Sequence, residues 1–303
     1  MTDWINAIVQ GVLLGGYYSL IATGLAFMFQ VMRIINLAHG TLAVMAGFGL
    51  WVLADRFAIN PFFALIGVVP AMALFGWLLQ RAVLERSARS GQLVPLLATF
   101  GLAIVIENTL FEQFGADTRS LAPAIGDLAW ASWGIGDIYI GQISVIIFVS
   151  AVVLLGGLSL FLSKTHLGRA IRATADDPDT VGLIGINARK INAAAAAIAL
   201  MTVAIAGMFL GMRATFTPYS GPAQLVFAFE ATVIGGTGSL WGTLIGGIVL
   251  GVAQTIGAQV NPQGFLLTGH VVFLAILIAR ESLPHVSEWG HALKRFRSGG
   301  RAQ

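Results

Sequence analysis

Long apolar stretches recur along the chain, separated by short polar or charged segments. Crossing about 30 Å of hydrocarbon takes roughly 20 helical residues. Runs near 5–31, 38–54, 61–80, 93–112, 142–163, 191–213 and 264–280 approach or exceed that length and predict transmembrane helices. The first run lacks a cationic leader and is too long for a signal sequence, so it is read as a retained helix. Pro61 opens the third run, where a first-turn proline costs little. The stretch 224–258 behaves differently. It holds two shorter apolar halves, 224–236 and 242–258, split by Gly235-Gly236-Thr237-Gly238-Ser239-Leu240-Trp241-Gly242. The first half is too short to cross at about 1.5 Å per residue. A broken or re-entrant helix pair fits better than two ordinary spans, and backbone freed at such a break must be buried in protein or line a wet cavity. Gly236 and Gly238 are read as the turning points, so a side chain at Gly238 is expected to do more harm than one at Gly257. A second interruption falls at Arg33-Ile34-Ile35-Asn36-Leu37-Ala38-His39-Gly40. Interrupted segments in both halves of a chain point to a substrate path.

Composition agrees with the pattern. Of 303 residues, 57% are hydrophobic and 10% charged, with 37 glycines and no cysteine. A soluble domain carries roughly 25% charged residues. The absence of cysteine excludes a disulfide scaffold, a thiolate metal site and a cysteine nucleophile.

The formal charge of +3 carries topological information. Segment 81–90 has Arg81, Arg86 and Arg89 against Glu85. Segment 164–190 has Lys164, Arg169, Arg172, Arg189 and Lys190 against Asp176, Asp177 and Asp179. The tail has Arg280, Lys294, Arg295, Arg297 and Arg301 against Glu281 and Glu288. The loop 112–141 is acidic instead, with Glu112, Asp117, Asp127 and Asp137 against Arg119. The positive-inside rule puts the first three in the cytoplasm and the acidic loop outside. The N-terminus then lies outside, and 224–258 begins and ends outside.

Several chemistries are missing from the sequence. No Gly-x-x-x-x-Gly-Lys-Ser/Thr phosphate loop, no metal-spaced histidine pair and no Gly-x-Ser-x-Gly elbow occurs. Any energy for work must come from another subunit or an ion gradient. No cofactor is called for, and no nucleic-acid partner.

The basic segment 164–190 is the most informative polar stretch. Gly168 to Asp176 reads as a short helix with Arg172 and Asp176 at i,i+4. Asp177 suits an N-cap, Pro178 a first helical position and Asp179 the positive end of the helix dipole. Gly185 is placed to end the turn, and Asn187 follows. Val181, Leu183, Ile184 and Ile186 give this element an apolar surface in a place that should be aqueous. Such a surface seeks a partner protein, or else lies on the membrane or on its own bundle.

The run from Gly168-Arg169-Ala170 to Gly185-Ile186-Asn187 resembles the coupling loop of the branched-chain amino-acid ABC transporter permeases. So does Ile35-Asn36-Leu37-Ala38-His39-Gly40, usually INFAHG in that family. The run from Ala228 to Gly242 is similar to its AFTAAVLGGIGSIPG segment, with Glu230 in place of a neutral residue and Trp241 in place of proline. The resemblance extends from about residue 10 to 280. It implies an all-α integral membrane protein with about eight transmembrane helices plus broken segments, in a type II-importer-like bundle. The chain would be one permease domain over 1–303, with a coupling loop at 164–190 and a cytoplasmic tail at 281–303. The implied partners are a second permease, two ATPase subunits, a periplasmic binding protein and the lipid of a bacterial inner membrane. The implied action is ATP-driven import of branched-chain or related amino acids by alternating access. Urea or short amides are alternative substrates, and a proton-coupled carrier using Glu107 or Glu230 is the competing class. An intramembrane enzyme lacks any paired acid–base or metal constellation.

Candidate residues carry two readings each. Asn36 and His39 either satisfy backbone at a helix start or line the path. Glu107 and Asn108 fall inside the fourth run, where a carboxylate is costly, or face a wet vestibule. Glu230 either meets a zwitterion or pairs with a neighbouring helix, Arg213 being one candidate. Ser239 sits with Gly236 and Gly238 in the break. Gly207/Gly211, Gly238/Gly242/Gly246 and Gly247/Gly251 are four-residue spacings that allow close helix approach.

Overall fold

The structure is a computed structural model that describes residues 2–298 apart from 89, 92 and 179. Arg89, Asp179 and Arg301 therefore lie outside the described residues, as does the side chain of Ile184. Helices dominate. They are α1 (Thr2–Met32), α2 (His39–Phe57), α3 (Pro61–Leu79), which passes through a π-turn at Gln80–Leu84 into the short α4 (Glu85–Ala88), and α5 (Leu93–Phe114). A hairpin of β1 (Ser132–Ile135) and β2 (Ile138–Gly141) follows, then α6 (Gln142–Lys164) and the short α7 (His166–Asp176). The chain ends with α8 (Ala188–Arg213), α9 (Gly221–Gly235), α10 (Leu240–Val260) and α11 (Gly264–Ser298). Among the described residues seven helical stretches are long and apolar enough to cross a membrane, and the apolar part of α11, Gly264–Arg280, is shorter. The protein is an all-α, multi-pass membrane protein, with about the number of spans that the apolar runs predict.

Local chemistry sets the helix limits. Asn60 accepts a hydrogen bond from the Phe62 N–H at 3.0 Å, and Pro61 occupies the first turn, as read from the sequence. Ser239 caps α10 by accepting from the Gly242 N–H at 2.9 Å. That cap starts α10 at Leu240, and the helix runs on to Val260, giving 21 residues. The second half of 224–258 is thus a full-length helix, not a short half. Only α9, at 15 residues, is short. The segment read as a plain outer loop holds a 3₁₀ turn at Ala122–Ala129 and the hairpin.

Glycine carries the central packing. α10 runs antiparallel to α1. Gly11 faces Val252 and Thr255, and Gly15 faces Gly247 and Ile248. Further along, the Ser19 hydroxyl donates to the Thr243 and Leu244 carbonyls at 3.3 Å each. Gly247 and Gly251 thus form a row against α1, and Gly242 and Gly246 a second row against α9. Gly207 packs on the Ala43 carbonyl of α2, and Gly211 on Leu121 and Phe216. Helices approach this closely only where no side chain intervenes. The buried core follows α1, α2 and α8 along much of their length.

The hairpin marks one face of the bundle. Gln10 Nε2 donates to the Tyr139 carbonyl at 2.6 Å, and Arg119 and Phe216 exchange backbone bonds at 2.8 and 2.9 Å. The exposed Thr118 lies on this face. In the cysteine-free parent, Thr118→Cys is expected to react with an impermeant maleimide from outside only. Labelling confined to the cytoplasmic side would invert the topology.

Candidate functional site

The first sequence interruption meets the start of α9, at the opposite end of that helix from the glycine break. After α1 the chain leaves helix at Arg33, whose φ is 53°, and α2 begins at His39. Asn36 is fully buried. Its Oδ1 accepts from the Ala38 N–H at 3.0 Å, and its Nδ2 lies 3.9 Å from Met28 Sδ. His39 is also fully buried, with Nε2 2.7 Å from the Ile21 carbonyl oxygen. A carbonyl only accepts, so Nε2 carries the proton and Nδ1 is left without a protein partner among the described residues. Asn36 thus serves backbone at the start of α2, whereas His39 reaches a carbonyl in the interior of α1. Gly40 explains the end of the motif: a Cβ there would stand 2.7 Å from the Leu225 nitrogen and fall on the Gly221 carbonyl. The start of α9 is therefore seated on the start of α2.

Polar side chains gather around this junction. Thr41 packs on Gly221, and its hydroxyl donates to Glu107 Oε1 at 2.9 Å. Tyr17 donates to Gln224 Oε1 at 2.6 Å, while the Arg213 guanidinium lies 5.1 Å from the Tyr17 ring centroid. The first turn of α9 is thus touched by one residue that holds a carboxylate and by another that carries a cation over its ring. Glu107 is half-buried, Arg213 is exposed, and the exposed Asn108 donates to the Ile104 carbonyl of its own helix at 2.8 Å. Tyr17 and Gln224 were not singled out from the sequence, because neither is unusual in a membrane helix until its partner is seen.

Glu230 is buried on α9 and does pair with a neighbouring helix, but the partner is not Arg213. His270 Nδ1 of α11 shares a hydrogen bond of 2.5 Å with Glu230 Oε1. Close by, Tyr18 donates to Gln254 Oε1 and packs on Phe227 of α9 with ring centroids 4.9 Å apart. Glu230 Oε2 and Gln254 Nε2 are buried without a protein partner among the described residues. The sequence did contain a signal for His270, since a histidine inside an apolar run is itself a functional candidate.

At the break, Gly236 has φ 95°, a conformation that favours glycine, and ends α9. Gly238 differs from the reading given above. Its φ is ordinary and a Cβ there would meet nothing within 4 Å, whereas one at Gly257 would stand 2.5 Å from Thr268 Cβ. The expected order therefore reverses: Gly257→Val should reduce membrane levels of folded chain several-fold, and Gly238→Val should leave them near the parent. Quantitative immunoblotting of the two variants checks this, and equal levels would contradict the packing described.

The segment between α6 and α8 is built much as its residues suggest. Thr165 caps α7 by accepting from the Gly168 N–H at 2.9 Å. Gly168, Ile171 and Thr174 are buried, while Arg169, Arg172 and Asp176 are exposed, and no Arg172–Asp176 ion pair forms among the described residues. Asp177 accepts from the Thr180 N–H at 3.0 Å and its hydroxyl at 2.5 Å. This cap places the start of the 3₁₀ turn at Thr180–Ile184, so Pro178 precedes the turn instead of opening it. Gly185, at φ 82°, ends the turn, and Asn187 caps α8 by accepting from the Lys190 N–H at 3.2 Å. Of the apolar residues in this loop, Val181 is 4% exposed and Leu183 is 86% exposed.

The chain can be placed among known proteins. The profile of the family described as "Branched-chain amino acid transport system / permease component" matches residues 7–280. The high-affinity branched-chain amino acid transport system permease protein BraD of Pseudomonas aeruginosa is 29% identical over 85% of this chain and 87% of its own length. LivH, the corresponding protein of Escherichia coli K12, is 27% identical over 91% of this chain and 92% of its own. A probable LivH of Methanocaldococcus jannaschii is 27% identical over 86% and 84%. No solved structure matches the chain.

Proposed function

The chain belongs to the family of branched-chain amino acid transport system permease components, and from that premise we propose that it is the membrane subunit of an ATP-driven importer. Its cargo would be branched-chain or related small amino acids, moved by alternating access across a bacterial inner membrane. One observation carries this reading: a capped loop between two membrane helices holds Leu183 out at 86% exposure. A leucine fixed in that way serves a partner better than it serves water. The sequence has no phosphate loop of its own, so the partner would be an ATPase subunit. Two such subunits, a second permease and a periplasmic binding protein would complete the assembly. The whole chain would form one permease domain, with 164–190 as its coupling loop and 281–303 as a cytoplasmic tail.

The substrate class is supported by the names of the relatives and by the polar groups around α9. Glu107 and Arg213 offer opposite charges near its first turn, which suits a zwitterion better than a neutral amide. Asn36, His39, Glu107, Asn108, Glu230, Gly236, Gly238 and Ser239 would lie along or support the path. Gly168, Arg169, Arg172, Asp176, Asp177, Pro178, Leu183, Ile184, Gly185 and Asn187 would form the coupling surface.

The test is reconstitution in proteoliposomes with candidate ATPase and binding-protein subunits. ATP-dependent uptake of labelled leucine, isoleucine or valine supports the reading. Uptake that ignores ATP and collapses with a protonophore would replace it with a proton-coupled carrier. ATP-dependent uptake of urea without leucine would change the substrate.

A further inference from the structure

The C-terminal helix α11 fastens the half-helix α9 at two polar points. One is His270 on Glu230. The other is Arg280, whose Nη1 donates to the Val233 carbonyl at 2.7 Å and whose Nη2 donates to the Ile234 carbonyl at 2.9 Å. These carbonyls belong to the last turn of α9, where helical acceptors run short of partners, and the Val233 carbonyl also accepts from the Gly236 N–H at 3.2 Å. A cation there also faces the negative end of the helix dipole. Both guanidinium nitrogens would lie 3.6 Å from a Cβ built on Gly236, the residue at φ 95° where α9 breaks. A basic residue at the cytoplasmic end of a span is ordinarily explained by topology alone. Topology does not require a two-pronged contact with consecutive carbonyls of another helix.

We propose that Arg280 is a positioning residue that caps α9 from α11 and sets the conformation of the glycine break. α11 continues as helix from Gly264 past Arg280 to Ser298. A displacement of α11 reaches the break through this contact, so the break answers to α11. The consequence for transport rests on the permease reading; the structural role of Arg280 does not. A planar guanidinium serves two carbonyls at fixed spacing, and a lysine ammonium is a single point donor.

The test uses the full chain, cysteine-free apart from Thr237→Cys at the exposed position beside Gly236. Labelling by an impermeant maleimide is followed first in proteoliposomes of the permease alone. Arg280→Gln should speed labelling about tenfold or more, the scale set by losing two charge-assisted bonds. Arg280→Lys should fall between it and the parent. In the assembled transporter Arg280→Gln should lower ATP-dependent uptake at least about tenfold with subunit stoichiometry unchanged. Where Arg280→Gln is not recovered from the membrane, Arg280→Lys carries the same comparison. Labelling at the parental rate in the variants would overturn the proposal. Faster labelling with undiminished uptake would overturn its transport part. Absence of ATP-dependent uptake in the parent would instead sink the permease reading, while the labelling result would still decide the role of Arg280.

Discussion

Gly246→Val should leave almost no folded permease in the membrane, and no uptake. A Cβ at this position would fall on the Ala231 carbonyl oxygen and stand 2.6 Å from the Gly235 nitrogen and 3.0 Å from its Cα. All three are backbone atoms of α9, so no rotamer change relieves the clash. Overpacking a core costs about 1–3 kcal/mol even where side chains can give way, and here two helices must part. Parting them also withdraws α9 from the α1–α10 seam, because α10 presents its other glycine row, Gly247 and Gly251, to α1. Gly67→Val is the matched control, since a Cβ there meets nothing within 4 Å. Comparison of detergent-extracted monodisperse protein and uptake for the two variants decides it. Parental behaviour of Gly246→Val would mean that α9 and α10 are not packed as described.

The parts of this fold that are legible in the sequence are those set by solvent and by local backbone chemistry. Lipid demands long apolar helices, so the runs are visible. Asn60-Pro61, Asp177 and Gly185 announce helix limits, because each acts on backbone within a few residues of itself. The four-residue glycine spacings also mark packed faces, since one helix face is a matter of periodicity, except at Gly238, which precedes α10 and packs on nothing. The hairpin left a local signal that the reading of 112–141 as a plain loop missed: Gly136-Asp137 between Ile135 and Ile138 is a two-residue turn with Gly136 at φ 61°.

What stays hidden is partner choice across the bundle. Glu230 asks for a partner, but nothing local distinguishes Arg213, on the helix before it, from His270, on α11. Arg280 was absorbed into the basic count of the tail, which explained its charge and hid its contact. Gly236 and Gly238 look alike in sequence. Only the path of the turn decides that Gly236 needs left-handed backbone and Gly238 does not.

Leu183→Ser should leave the permease folded and inserted but, on the importer reading proposed above, uncouple it from an ATPase subunit. Leu183 contributes little to the loop itself at 86% exposure, so its removal should not unfold the 3₁₀ turn. Burying a leucine fully contributes about 1.5–3 kcal/mol, which corresponds to roughly tenfold or more in docking affinity. Val181→Ser provides the contrast. Val181 is 4% exposed, and Ile186 donates its N–H to the Val181 carbonyl at 3.1 Å, so that variant should loosen the loop before any partner arrives. Asp177→Ala should fall between them, because it removes the bonds to Thr180 and a cap contributes about 1 kcal/mol. The measurements are limited proteolysis of the loop in the permease alone, then subunit stoichiometry and substrate-stimulated ATPase rate in the complex. A Leu183→Ser protein that resists protease like the parent yet loses stimulated hydrolysis places the docking contact on that side chain. If it assembles and couples like the parent, the exposed leucine has no partner on the ATPase, and an energy source other than ATP gains ground.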